Sequence, residues 1–208
     1  MQFTPGVVQH GDAYVGQRLS TLVDLHELGA PPDLLGSLEA VRDHIALQPV
    51  RPSHSLFVGA PGYGQALAAA SLGKALSVPV FRIDLSAVVS RYIGETEKNL
   101  DRLFGQAEGA NSILFLDEAD ALFGKRTDVH DAHDRYGNAE VAYVLQKLEA
   151  YAGPAILATS SRMNVDPAFL RRLRYVLYFH TSLQPPKRPE AADPSSSDAP
   201  SPRSPRNL

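Results

Sequence analysis

The sequence predicts an α/β fold: a mostly parallel, five-stranded sheet between two layers of helices. Three observations carry this expectation. From Ser55 onward, short apolar runs alternate with helical patterns, and such alternation implies right-handed crossovers between parallel strands. The apolar runs Ser55–Gly59 (SLFVG) and Ile113–Leu116 (ILFL) show no polar alternation, as strands covered on both faces require. The first run leads directly into a glycine-rich turn, GAPGYGQAL from Gly59 to Leu67.

The elements follow in order. Residues 1–33 are weakly patterned, an N-terminal extension in which RLSTLVDLHEL (18–28) suits a short helix ended by Gly29 to Pro32. LLGSLEAVRDHIAL, from Leu34, reads as an amphipathic helix with Asp33 as its N-cap. SLFVG is a strand, QALAAASLGKAL a helix, VPVFRIDL a strand, and ETEKNLDRLFGQAEGA a helix with Leu100, Leu103 and Phe104 on one face. SILFLDEAD is a strand that turns acidic at its end. AEVAYVLQKLEAY is a helix and PAILATS a strand. DPAFLRRL is a short helix with Asp166 as N-cap and Pro167 at the first position, where a missing N–H is harmless. YVLYF is the last strand. Residues 183–208 are rich in Pro, Ser and mixed charge, a composition that predicts a disordered tail. Ser201 and Ser204, each followed by proline, are phosphorylation candidates within it.

Composition narrows the function. Of 208 residues 44% are hydrophobic, enough for a real core. A net charge of -3 gives no basic field for nucleic acid. With no cysteine, disulfides, thiolate zinc sites and thiol catalysis are excluded. Neither a signal peptide nor a membrane-length apolar run is evident, so a cytoplasmic protein is expected.

The unusual residues sit where strands end, which is where open parallel sheets bind ligands. Gly59, Ala60, Pro61, Gly62, Tyr63, Gly64, Gln65 and Ala66 outline a phosphate-binding loop. The glycines let backbone N–H groups approach an anion, and the following helix points its N-terminus there. Gln65, however, stands where the pattern has lysine, and Ala66 where it has Ser or Thr. Losing one charge-assisted contact costs roughly 1.5–3 kcal/mol. Lys74 lies about 13 Å further along the helix and is no substitute. Asp117-Glu118, after four apolar residues, has the pattern in which the Asp positions Mg²⁺ and the Glu activates water. A solvated acidic strand end fits the same residues. His130, Asp131, His133 and Asp134 have loose metal-ligand spacing, and an ordinary charged loop accounts for them too.

Together, SRYIGETEKNLDRLF, DEADALFGKR and LATSSRMNVDPAFLRRLRY make residues 34–182 resemble the core domain of the AAA+ ATPases. Within that family, FRIDLSAVVSRYIGETEKNL and DAHDRYGNAEVAYVLQKLEAY look most like ATPases encoded with bacterial contractile injection systems. The resemblance implies a three-layer P-loop NTPase fold that binds ATP and Mg²⁺, works on a protein client and assembles into a homo- or hetero-oligomeric ring. It makes Gly59–Ala66 the Walker A loop and Asp117-Glu118 the Walker B pair. Ser160 falls where the family has a water-orienting Asn. Arg171 and Arg174 match arginines presented to a neighbouring subunit's nucleotide. Tyr92, Ile93 and Gly94 match the pore loop that grips a polypeptide. Solvated arginines on a helix end, and a buried tyrosine beside a turn, are the plainer accounts. The family's helical lid has no counterpart before the Pro/Ser tail. Three functions therefore stand open: a binding or assembly module with a degraded site, an active remodelling ATPase, and a non-functional remnant.

Overall fold

The computed structural model describes residues 16–47, 53–89, 95–123, 132–160, 165 and 167–185. Six strands form one sheet: β1 (Gly16–Leu19), β2 (Ser53–Gly59), β3 (Val80–Asp84), β4 (Ile113–Asp117), β5 (Pro154–Thr159) and β6 (Tyr175–Phe179), in the order β1-β3-β4-β5-β2-β6. The helices are α1 (Pro32–Leu47), α2 (Gln65–Leu76), α3 (Leu85–Val89), α4 (Glu95–Gly109), α5 (Asp120–Phe123), α6 (Ala132–Ala150) and α7 (Pro167–Leu170). The sheet is parallel except for β1, which runs antiparallel to β3.

Alternating strand residues serve two cores. Phe57, Ile113, Phe115, Ile156, Ala158 and Phe179 meet α1 and α2 on one face. Leu56, Val58, Leu114, Leu116 and Leu157 meet α4 and α6 on the other. Both sets are buried, so the strands carry no polar period, and the α/β expectation holds. Helix α1 contributes Leu34, Leu38, Val41 and Ile45, spaced to form one apolar stripe.

Three expectations are corrected. The sheet has six strands rather than five, because Gly16–Leu19 pairs with the open edge of β3. The helix read over 18–28 is that strand's end followed by a single 3-10 turn, Leu25–Glu27. Tertiary burial overrides local propensity here: Leu19, Leu25 and Leu28 all enter the core. The Glu27 carboxylate accepts the Asp24 N–H at 3.1 Å, which starts the turn at Asp24 instead. Ser71 Oγ donates to Val23 O at 3.0 Å, and Lys74 binds Leu22 O and Asp24, so this segment is fastened to α2. Helix α1 also begins earlier than expected, at Pro32, which places Asp33 in its first turn rather than at the cap. Pro32 lacks only an N–H that the first turn would leave unbonded.

At the start of β4, the buried Tyr151 hydroxyl donates to Ser112 O at 2.7 Å. Burial pushes this phenol's pKa up to about 12. Tyr151→Phe leaves the Ser112 carbonyl without that donor. It is expected to lower stability by about 1–2 kcal/mol in urea unfolding, with the m-value unchanged.

At the start of β2, His54 is buried and its Nε2 has no hydrogen-bond partner among the described residues. Burial lowers its pKa below 6.5. The unfolded chain therefore takes up a proton before the folded one does. Stability is full above 6.5 and falls as pH drops through the window between that value and the lower folded one. His44 is shifted the same way, by burial and by Arg174. His54→Leu is expected to flatten the acid side of the stability–pH curve, measured by denaturant midpoint.

Candidate functional site

Parallel order brings the C-terminal ends of β2, β4 and β5 together. Gly59 ends β2, Asp117 ends β4, and Ser160 follows β5. Three of the predicted clusters thus share one edge of the sheet.

The glycine-rich loop joins β2 to α2. Tyr63 N–H donates to Ala60 O at 3.1 Å and closes its turn. Gly62 has φ +84° and Gly64 φ +101°, conformations that L side chains rarely adopt. At Gly59 a Cβ would lie 2.7 Å from Phe179 on β6, so that position is held small by packing. A backbone cradle at the start of the 12-residue helix α2 is therefore built. Its side chains differ from the pattern. Gln65 is buried, and its amide Nε2 donates back to Gly59 O at 2.7 Å and Ala60 O at 3.4 Å. Ala66 is partly buried against the core. The loop is held by its own glutamine and offers no side-chain cation.

Asp117 is met by Arg82 of β3, with Nε at 2.8 Å and Nη2 at 2.7 Å from Oδ2. Its other oxygen accepts the Glu118 N–H at 3.0 Å. Glu118 itself has φ +56°, an uncommon backbone for glutamate. Partial burial, then repulsion by Asp117, Asp84 and Asp120, raises its pKa, with Arg82 opposing. Ser160 is turned toward Asp120: its Oγ donates to Oδ1 at 3.1 Å and its N–H to Oδ2 at 2.8 Å, while Thr159 Oγ1 donates to Oδ1 at 2.8 Å.

The chain leaving β6 crosses the loop. Leu183 N–H donates to Tyr63 O at 3.2 Å, Ser182 Oγ to Gly62 O at 3.3 Å, and the Leu183 side chain is buried. Composition had assigned Leu183 to the tail. Its apolar side chain preceding the prolines was the signal for its place in the core.

Arg171 and Arg174 are not part of this cluster. They follow α7 and precede β6, at the opposite end of the sheet. Arg171 is exposed; the Arg174 guanidinium lies 5.9 Å from the centre of the Tyr175 ring, and the Arg174 backbone N–H donates to His54 O at 2.9 Å. Tyr92, Ile93 and Gly94 lie outside the described residues, as do His130, Asp131, Asp166 and the tail beyond 185. Among the described residues no group of three or more His, Asp or Glu could hold a metal ion, and no helix is long and apolar enough to cross a membrane.

Sequence reading missed Arg82 and Asp120. Arg82 had a signal: a guanidinium inside a strand buried on both sides must find a partner. Asp120 had none beyond its place in DEAD.

Known proteins are similar to this chain in sequence or in fold. An uncharacterized AAA family ATPase of Sinorhizobium fredii is 35% identical over 142 residues, 67% of this chain and 40% of the relative. Cell division protein C of Sulfolobus acidocaldarius is 30% identical over 136 residues, 61% of this chain and 36% of that protein. The chain thus spans two fifths or less of these relatives' length. The crystal structure of the FIGL-1 AAA domain in complex with ADP superposes with a TM-score of 0.62 at 21% identity, over 84% of this chain and 63% of that one, a likeness of fold. The sequence profile of the ATPase family associated with various cellular activities (AAA) matches residues 55–181. With that match running from β2 through β6 and over the glycine loop, the chain belongs to the AAA ATPase family.

Proposed function

We propose that the chain is a nucleotide-binding module of a protein-remodelling or assembly machine, one that binds ATP weakly and turns it over little or not at all by itself. The observation that carries this reading is Gln65 donating to Gly59 O and Ala60 O in the place of a phosphate-binding lysine. The backbone of Gly59, Ala60, Pro61, Gly62, Tyr63, Gly64, Gln65 and Ala66 fits an anion; the side chains at 65 and 66 do not add to it. Hydrolysis needs positioning and charge neutralisation together. Neither a lysine nor a hydroxyl is supplied by the loop, and Ser160 is committed to Asp120.

Mg²⁺ fits this site poorly. Asp117 is the residue that would hold it through water, yet both its oxygens have protein partners and Ala66 has no hydroxyl. The family association with ring assemblies supports roles in trans: Arg171 and Arg174, at the far end of the sheet, would face a neighbour's nucleotide in a homo- or hetero-oligomeric ring. Tyr92, Ile93 and Gly94 would contact the polypeptide client. Resemblance of residues 81–100 and 131–151 to ATPases encoded with contractile injection systems favours an assembly client of that kind.

A second reading, an active ATPase, draws on Glu118. Its raised pKa suits a general base better than an ordinary carboxylate would. Titration of the purified chain with ATP, together with steady-state phosphate release, separates the two. We expect weak saturable binding and no turnover above background. Turnover of about 1 s⁻¹, ordinary for an enzyme, overturns the first reading in favour of the second. Absence of any nucleotide binding removes both.

A further inference from the structure

We infer that Arg82 takes the place of the divalent cation, so that this site binds nucleotide phosphates without Mg²⁺. The inference rests on the nucleotide-binding reading above.

Register explains how the pair forms. Arg82 lies beside Phe115 and Asp84 beside Asp117 across the parallel β3–β4 ladder. Residues two apart on a strand share a face, so Arg82, Asp84, Phe115 and Asp117 project from one side of the sheet. Phe115 packs into the core formed with α1 and α2. That is the side of α2, whose first residues are Gln65 and Ala66. The guanidinium thus lies on the face where a Mg²⁺ between Asp117 and a loop hydroxyl would be sought. It holds Asp117 Oδ2 through two nitrogens, in a partly buried pair with relative exposures of 34% and 22%.

Three features then act together. Oδ2 is taken by a permanent cation, since a guanidinium does not lose its proton in proteins. Oδ1 is taken by the Glu118 N–H. The remaining family ligand, a hydroxyl at position 66, is absent because the residue is Ala66. A dication entering here would have to displace Arg82 and leave a partly buried guanidinium unpaired, which is unfavourable. Displacement would return only one carboxylate ligand.

The charge count shows why Arg82 matters to the nucleotide as well. Asp84, Asp117, Glu118 and Asp120 surround the strand ends, close enough to shift Glu118, and Arg82 is the cation that offsets them. With Arg82 present, a phosphate at the glycine loop meets a partly neutralised edge. Without it, a polyphosphate would approach an edge short of one positive charge, which an added cation could supply.

The test is calorimetric titration of the full chain with ATP in excess Mg²⁺ and in excess chelator. The parent chain is expected to give affinities within about threefold of each other, less than 1 kcal/mol apart. Arg82→Gln is expected to bind about tenfold or more weakly in chelator, with Mg²⁺ restoring the loss. Arg82→Lys, which keeps the charge, should stay metal-independent. An affinity about tenfold tighter with Mg²⁺ in the parent overturns the inference, as does an Arg82→Gln chain that remains indifferent to the metal. The parent comparison needs no substitution, so a misfolded variant does not decide the matter. If the parent binds nothing in either medium, the proposed function fails and Gln65→Lys, which keeps Ala66, becomes the test chain. It should bind equally with and without Mg²⁺ until Arg82→Gln is added. Metal dependence with Arg82 in place, or no binding in any chain, overturns the inference.

Discussion

Replacing Gln65 by lysine is expected to tighten ATP binding by about ten- to a hundredfold, the equivalent of one restored charge-assisted contact of roughly 1.5–3 kcal/mol. The position favours this outcome. Gln65 is the first residue of α2, is buried, and aims its amide into the loop at Gly59 O. A lysine there starts from the same direction, is longer by one methylene and ends in an ammonium. It can leave the carbonyls and reach an outer phosphate, which a neutral amide has no charge to hold. The gain should grow with phosphate number: large for ATP, smaller for ADP, and within about twofold for AMP. Ala66→Thr alone should change affinity little, because that hydroxyl serves a cation rather than a phosphate. Titration of the single and double substitutions with all three nucleotides checks this. Equal gains for AMP and ATP would show that the lysine acts on the loop's shape and not on phosphate charge.

That experiment depends on a loop largely legible in the sequence, and the reason is physical. Glycines at φ +84° and +101° are demanded by local backbone geometry, and a short motif records local demands well. The same holds for strands buried on both faces and for Pro167 at the start of α7. Long-range partners leave a weaker trace. Arg82 and Asp117 are 35 residues apart, and Asp120 and Ser160 are 40 apart. Each pair exists only because parallel register brings β3 to β4, or β4 to β5. Strand β1 was illegible for a related reason: Gly16–Leu19 has no strand pattern of its own and is ordered by the free edge of β3. The roles proposed for Glu118, Arg171 and Arg174 rest on family resemblance alone, and placement at two ends of one sheet is what the fold adds.

The second large effect concerns the junction of loop and chain end. Gly64→Ala is expected to destabilise the protein by about 2–4 kcal/mol. Part is backbone strain, since φ is +101° and a non-glycine residue held there costs about 1–3 kcal/mol. Part is overpacking: a Cβ at Gly64 would lie 2.8 Å from Leu183 Cδ1, well inside contact distance. Leu183→Ala alone should cost about 2–3 kcal/mol, as a buried leucine lost from the core does. The double substitution separates the two parts of the Gly64 effect. If Leu183 presses on the loop, removing its side chain makes room for the new Cβ, and the double change costs less than the sum by about 1–2 kcal/mol. The strain part remains, so ATP binding should stay impaired in both Gly64→Ala chains. Urea unfolding of the four chains measures the cycle. Additivity within about 0.5 kcal/mol would mean that Leu183 only fills the core. A coupling of the expected size would mean that the segment after β6, through Leu183 and the Leu183 N–H bond to Tyr63 O, sets the shape of the glycine-rich loop from outside its own sequence.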